Sequence, residues 1–172
     1  FGGLTAGRVA PAFEHGWNQF YLTSGQSMAG GYHSDASYVN SLGYTANFGG
    51  GFSATVTLDD ATDRHNWAAG PARAGHVLPD ITGALVYDQS WGTIRLAGAI
   101  GQMMSSTNAF STKYGYAVEG GVKINLPMLT KGSNIWVSGS YAKGMVNYAG
   151  YGVFGATTVG SVSYTAADAT AA

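Results

Sequence analysis

Leu42-Gly-Tyr-Thr-Ala-Asn-Phe-Gly-Gly-Gly-Phe-Ser-Ala-Thr-Val-Thr-Leu58 reads as two strands and a turn. Leu42, Tyr44, Ala46 and Phe48 share one parity, while Gly43, Thr45 and Asn47 share the other. Beyond Gly49-Gly50-Gly51 the alternation resumes, with Phe52, Ala54, Val56 and Leu58 set against Ser53, Thr55, Thr57 and Asp59. Successive side chains of a strand point to opposite faces. Period two therefore predicts an antiparallel hairpin with one apolar and one polar face.

Outward from this hairpin the same pattern recurs. Leu4 to about Ala10 makes a short strand after a Gly2-Gly3 turn, and Tyr38–Phe48 and Phe52–Asp59 are the two arms of the hairpin. Asp80–Gln89 alternates Ile81, Gly83, Leu85 and Tyr87 with Thr82 and Asp88. Thr93–Gln102 sets Ile94, Leu96 and Ile100 against Thr93 and Arg95. Tyr114–Leu126 sets Tyr116, Val118, Val122, Ile124 and Leu126 against Glu119, Lys123 and Asn125, and Asn134–Gly144 carries Ile135, Val137 and Tyr141 on one parity. About seven strands are predicted, each near the 9–11 residues with which a tilted strand crosses a bilayer.

Connections alternate in length. Those at Gly2-Gly3, Gly49–Gly51, Ser90–Gly92 and Pro127–Ser133 are short, and those at Pro11–Ser37, Asp60–Pro79 and Met103–Lys113 are long. All short turns then fall on one rim and all long loops on the other, as in outer-membrane barrels. A soluble β-sandwich, such as a carbohydrate-binding module using loop aromatics, also alternates apolar and polar residues, with one face solvated. Two features favour the barrel. The polar parity is rich in Gly, Ala, Ser and Thr rather than Lys and Glu, and Tyr44, Phe48, Phe52, Tyr87, Tyr116 and Tyr141 place aromatics near strand ends, as interfacial girdles require.

Composition agrees. Only 10% of the residues are charged, against about 25% in a soluble domain, so little of the chain is suited to water. No run approaches the roughly 18 apolar residues of a membrane helix, which leaves strands to cross any membrane. A net charge of −1 argues against a nucleic-acid partner or a polybasic lipid patch. With no cysteine there is no disulfide scaffold.

Phe1-Gly-Gly-Leu-Thr-Ala-Gly-Arg8, the opening hairpin, Pro79-Asp-Ile-Thr-Gly83, Asp88-Gln-Ser-Trp-Gly-Thr93 and Gly115-Tyr-Ala-Val-Glu-Gly-Gly-Val-Lys-Ile-Asn-Leu-Pro-Met-Leu129 together resemble the alphaproteobacterial general porins. The similarity runs over most of residues 1–144 in the family's order. It implies an all-β fold: an antiparallel transmembrane β-barrel, of which these strands are part of a larger, sixteen-stranded wall in the outer membrane of a Gram-negative bacterium. It implies a homotrimeric, water-filled channel for passive diffusion of ions and small hydrophilic solutes, in contact with outer-membrane lipid, with no catalysis and no cofactor. Residues 1–172 then form part of one barrel domain, with 11–37 as a constriction loop, 60–79 and 103–113 as extracellular loops, and 145–172 as loop or irregular end. The chain starts inside a motif and ends on Tyr164-Thr-Ala-Ala-Asp-Ala-Thr-Ala-Ala172 rather than on a terminal aromatic strand. We therefore expect the middle of a longer barrel, because about seven strands cannot close one and lipid does not tolerate open edges.

Five residues are expected to line the pore: Arg8, Glu14, Arg95, Glu119 and Lys123. Arg95, Glu119 and Lys123 follow from parity, since charges facing an aqueous pore act as an electrostatic filter; mutual pairing that holds the wall is their other role. Arg8 matches the family's Gly-Arg motif, although alternation from Leu4 puts it on the apolar parity unless a bulge at Gly7 re-aims it. Glu14 is the loop acid nearest the wall, ahead of His15 and Asp35, while Phe13, Trp17, Phe20 and Tyr21 are read as packing that fixes the loop.

Other constellations are weaker. Gly25-Gln-Ser27-Met-Ala-Gly-Gly31, with His33 and Asp35 close behind, is similar to a nucleophile elbow and suggests an outer-membrane serine esterase. An elbow needs a strand before it, a helix after it and distant partners, none of which is read here. Asp59, Asp60 and Asp63 lack the spacing of a calcium loop, and His15, His33, His65 and His76 lack that of a zinc site. No metal is expected.

Overall fold

A computed structural model describes residues 2–14, 38–61, 77–103, 112–145, 148, 156–159 and 162–165. Seven strands form one antiparallel meander in chain order: β1 (Gly2–Val9), β2 (Val39–Gly49), β3 (Phe52–Asp59), β4 (Asp80–Gln89), β5 (Gly92–Met103), β6 (Lys113–Asn125) and β7 (Asn134–Lys143). A separate two-stranded hairpin, β8 (Ala156–Val159) and β9 (Val162–Thr165), lies in the stretch expected to be irregular. At four residues each, its strands are too short for period two to stand out from chance. No α-helix occurs among the described residues.

The opening hairpin forms as its alternation predicts, with Leu42 opposite Leu58, Tyr44 opposite Val56 and Thr45 opposite Thr55. Its turn needs glycine: Gly49, Gly50 and Gly51 have φ of 84°, 61° and 85°, a region that side chains bearing a Cβ rarely enter. The turn also locks to the next one, because the Asp88 amide donates to the Gly51 carbonyl at 2.8 Å and Gln89 Nε2 donates to the Gly50 carbonyl at 2.5 Å.

Register carries each parity across the whole sheet. On one face Leu4, Tyr44, Val56, Gly83 and Gly98 follow one another from strand to strand, as do Leu85, Leu96 and Gly120. This apolar face is the exposed one: Leu96 is 56% and Ile124 44% accessible. A sandwich would bury both between two sheets, so the sandwich alternative is overturned by the exposure of these side chains. Phe48 and Phe52 stack at 5.5 Å beside the short turns, and Tyr116 and Tyr141 at 6.1 Å towards the long loops. The exposed apolar band is thus edged by aromatics at both ends, the arrangement of a lipid-facing wall.

The opposite face is polar and covered. Ser41, Thr57, Asp59, Asp80, Thr82, Arg95 and Glu119 are buried on it, together with Ala84, Ala97, Ala99 and Ala117. The alanines and their strand neighbours leave shallow ground on which Phe13, Met145 and Tyr148 pack as a small apolar cluster. Core and surface are therefore exchanged relative to a protein in water.

Candidate functional site

The inner face is positioned by β3 to β6, with two short turns laid over it. Pro11–Glu14 leaves β1 and closes by the Glu14 amide donating to the Pro11 carbonyl at 3.1 Å. In such a turn the carbonyls of successive residues converge, and here they converge on Arg95 of β5. Its Nη1 donates to the Phe13 carbonyl at 3.1 Å, and its Nη2 donates to the Glu14 carbonyl at 3.0 Å and to that of Ala12. Nη1 also lies 3.7 Å from Glu119 Oε1, an ion pair without a hydrogen bond. The guanidinium fork supplies several fixed donors at once, and that is why an arginine can hold three carbonyls where a lysine has a single point charge. Glu119 reaches this spot because its strand partner is Ala97, two residues along β5 and on the same face.

A second polar group stands where β3 and β4 flank the connection 60–79. Asp59 and Asp80 are directly opposed and fully buried. Like charges opposed in a sheet repel, and buried carboxylates need donors. Ser41 Oγ donates to Asp59 Oδ1 at 2.6 Å, Thr82 Oγ1 to Asp59 Oδ2 at 3.1 Å, and the Tyr148 hydroxyl to Asp80 Oδ2 at 2.8 Å. Thr57 and Thr82 share a further hydroxyl contact of 2.6 Å. Among the described residues, no group of three or more His, Cys, Asp or Glu side chains is arranged to hold a metal ion.

Of the five residues singled out from sequence, Glu14, Arg95 and Glu119 are brought together. Lys123 shares their face but lies nearer the short turns, opposite Thr93 and Trp136, and is half-buried. Arg8 is elsewhere. It sits opposite Asn40, exposed, on the side of Leu4 and Leu42, and the register through Gly7 runs without a shift. Phe13 is fully buried and packs as expected of a loop anchor. Residues 15–37, with Ser27, His33 and Asp35, lie outside the described residues, as do Asp63, His65 and His76.

Three inner-face residues escaped the sequence reading: Asp80, Tyr148 and Trp136. The first had a signal, since two acids that close and open consecutive strands around one long loop must oppose each other. Trp136 lay on the polar parity of β7 and was passed over. Nothing in the sequence around Met145 and Tyr148 marks either side chain as inward-packed.

An apolar face open to its surroundings, aromatic borders, and a polar face folded under inward turns define the wall of a transmembrane β-barrel. The model of the porin subfamily matches residues 1–172, and the chain belongs to that family, whose place is the Gram-negative outer membrane. Porin Omp2b of Brucella suis biovar 1 is 28% identical over 116 residues, which are 66% of this chain and 29% of that protein. The crystal structure of the outer-membrane channel DcaP of Acinetobacter baumannii superposes with a TM-score of 0.71 at 16% identity, over 94% of this chain and 44% of that one. The chain thus spans under half the length of either relative.

Proposed function

We propose that this chain is part of the wall of a water-filled channel through which ions and small hydrophilic solutes diffuse passively, without catalytic turnover. The observation that carries this is the reversal of faces: apolar side chains outward along every strand of the sheet, and Arg95, Glu119 and Asp59 inward. A lipid-facing wall with a polar interior is useful only if the interior holds water. The outermost strands, β1 and β7, leave backbone groups that lipid does not satisfy. Further strands of the full-length protein therefore complete the channel.

Within it, Pro11–Glu14 begins a constriction, seated on the wall by Arg95, with Glu14 as its acid and Glu119 and Lys123 on the facing wall. Arg8, on the outward face of β1, stands apart from this constriction. The functional unit is proposed to be a homotrimer on the strength of the family, and crosslinking of the intact protein that gave monomer alone would remove that element. The channel itself is tested by adding full-length protein to planar lipid bilayers. Stepwise, ohmic conductance is expected, with swelling of protein-loaded liposomes in small sugars. Bilayers that stay silent over a wide protein concentration range would sink the proposal.

A further inference from the structure

Two turns meet over the inner face, and they come from opposite edges of the sheet. Pro11–Glu14 follows β1, the strand at one edge, and docks on Arg95 of β5. Met145 and Tyr148 follow β7, at the other edge, and Tyr148 docks on Asp80 of β4. The first turn thus reaches past the middle of the sheet, since β1 and β5 are four strand spacings apart, or about 19 Å at ~4.8 Å per strand, and the second reaches the middle strand, β4. The second turn closes like the first, with the Tyr148 amide donating to the Met145 carbonyl at 3.0 Å. Where they cross, the rings of Phe13 and Tyr148 pack edge to face, 5.1 Å apart at 86°.

The wall is shaped to receive the second turn. Gly101 of β5 and Gly115 of β6 are register partners. A Cβ on Gly115 would stand 2.6 Å from Met145 Cγ, and one on Gly101 would stand 2.8 Å from Met145 Cε. The glycine pair therefore leaves a depression that the fully buried Met145 side chain fills. Tyr148, 1% exposed, satisfies both its ends: the ring covers Phe13 and the hydroxyl donates to a carboxylate that faces a second carboxylate. A buried acid beside another acid depends on such donors. Tyr148 is thereby fixed at the point where it presses on the loop.

We propose that Tyr148 is a positioning residue for the constriction: the turn it closes is a second inward brace, clamping Pro11–Glu14 against Arg95 so that the width of the aperture depends on both edges of the sheet. The proposal rests on the channel reading above and deepens it, because it assigns part of the pore's dimensions to the connection after β7 rather than to the constriction loop alone.

The test uses full-length protein in planar bilayers, with Tyr148→Phe, Tyr148→Ala, Arg95→Ala and the double Arg95→Ala/Tyr148→Ala variant. Tyr148→Phe keeps the ring and removes one hydrogen bond, so the ratio of dislodged to seated turn should rise roughly fivefold. This reads out as more frequent excursions to a second, larger conductance level. Tyr148→Ala should raise that ratio on the order of a hundredfold or more, as for a buried aromatic cut to alanine, making the larger level dominant. The double variant should conduct no more than the larger of its two single parents, since both release the same turn. Residues 1–172 hold no cysteine, so a Phe13→Cys/Tyr148→Cys pair alkylated at both thiols by a short bis-maleimide supplies an independent check, and the linked protein should hold one conductance level. Should Tyr148→Ala fail to fold, Tyr148→Phe and the crosslink still decide. Variants whose melting temperature falls while conductance and excursions stay as in the wild type would show a structural role alone and overturn the brace. Silent wild-type bilayers would overturn the channel reading, and the brace's role with it.

Discussion

The two ends of the inner face are built from the same strands and differ in what covers them. Towards the long loops, Ser41, Thr57, Asp59 and Thr82 are buried and bonded to one another, and buried Asp80 accepts from Tyr148 of an inward turn. Towards the short turns, Asn47, Asp88, Asn125 and Asn134 stand exposed, with Lys123 and Trp136 half-covered. One end behaves as a protein interior assembled from polar groups, the other as a wet wall. In such a protein, then, burial does not mark a hydrophobic core. It marks where chain has been folded back over the polar face. The outer face shows no such division, since lipid asks the same of every strand.

The sharpest way to break the comparison is to remove the group that holds the covered end together. Arg95→Ala removes the cation 3.7 Å from buried Glu119 and leaves three turn carbonyls without their donor, a loss of at most about 3–5 kcal/mol, the value for a buried charge pair broken on one side. The denaturant midpoint for folding into lipid vesicles should drop accordingly, and conductance should rise as the turn lifts. Arg95→Lys should recover only part of this, because an ammonium cannot fork to three carbonyls. An unchanged midpoint would mean that the turn seats itself without the arginine. Next in size is a charge on the outer face. Leu96→Arg, mid-strand and 56% exposed, should cost about 2–4 kcal/mol near the bilayer midplane, measured by the same folding titration. No comparable loss at Leu96 would mean that this face does not meet lipid. A smaller effect is expected from Thr45→Val, which removes one half of the 2.9 Å hydroxyl pair with Thr55. Cross-strand pairs of this kind are worth about 0.2–1 kcal/mol, and a larger loss would show that the open end is more tightly organised than its exposure suggests.

What could be read from the sequence follows from which part of the structure is periodic. Strand parity is local and repeats every two residues, so the seven-stranded sheet and the inward placement of Arg95, Glu119 and Lys123 were all legible in it. Arg8 shows the same rule from the other side: parity put it outward, family likeness put it in the pore, and the register follows parity. The covering turns were not legible in this way. Whether Phe13 and Tyr148 meet depends on the curvature that brings opposite sheet edges together, a property of seven strands at once and of no single stretch. Arg95 was legible as a charge on the polar face but not as a latch, because its partners are backbone carbonyls, which every residue possesses and no composition reveals.

The smallest expected effect separates Arg95 from Lys123, two basic residues of the inner face. Arg95 is buried and committed to the turn, so replacing it would change the pore's width and its charge together. Lys123 is half-covered and lies towards the wet end, so its charge is the nearer of the two to solution. Lys123→Ala should leave the folding midpoint within about 0.5 kcal/mol, as for a surface position. A fixed cation beside the path repels mobile cations, so its removal should shift selectivity towards cations, seen as a change in reversal potential across a salt gradient. The shift should be largest near 0.01 M salt, where the screening length is roughly 30 Å, and vanish near 1 M, where it is roughly 3 Å. A shift that persisted at high salt would point to a change of pore shape at Lys123, and no shift at low salt would place its charge out of reach of the permeating ions. Either result would redraw the boundary between the covered and the open ends of the wall.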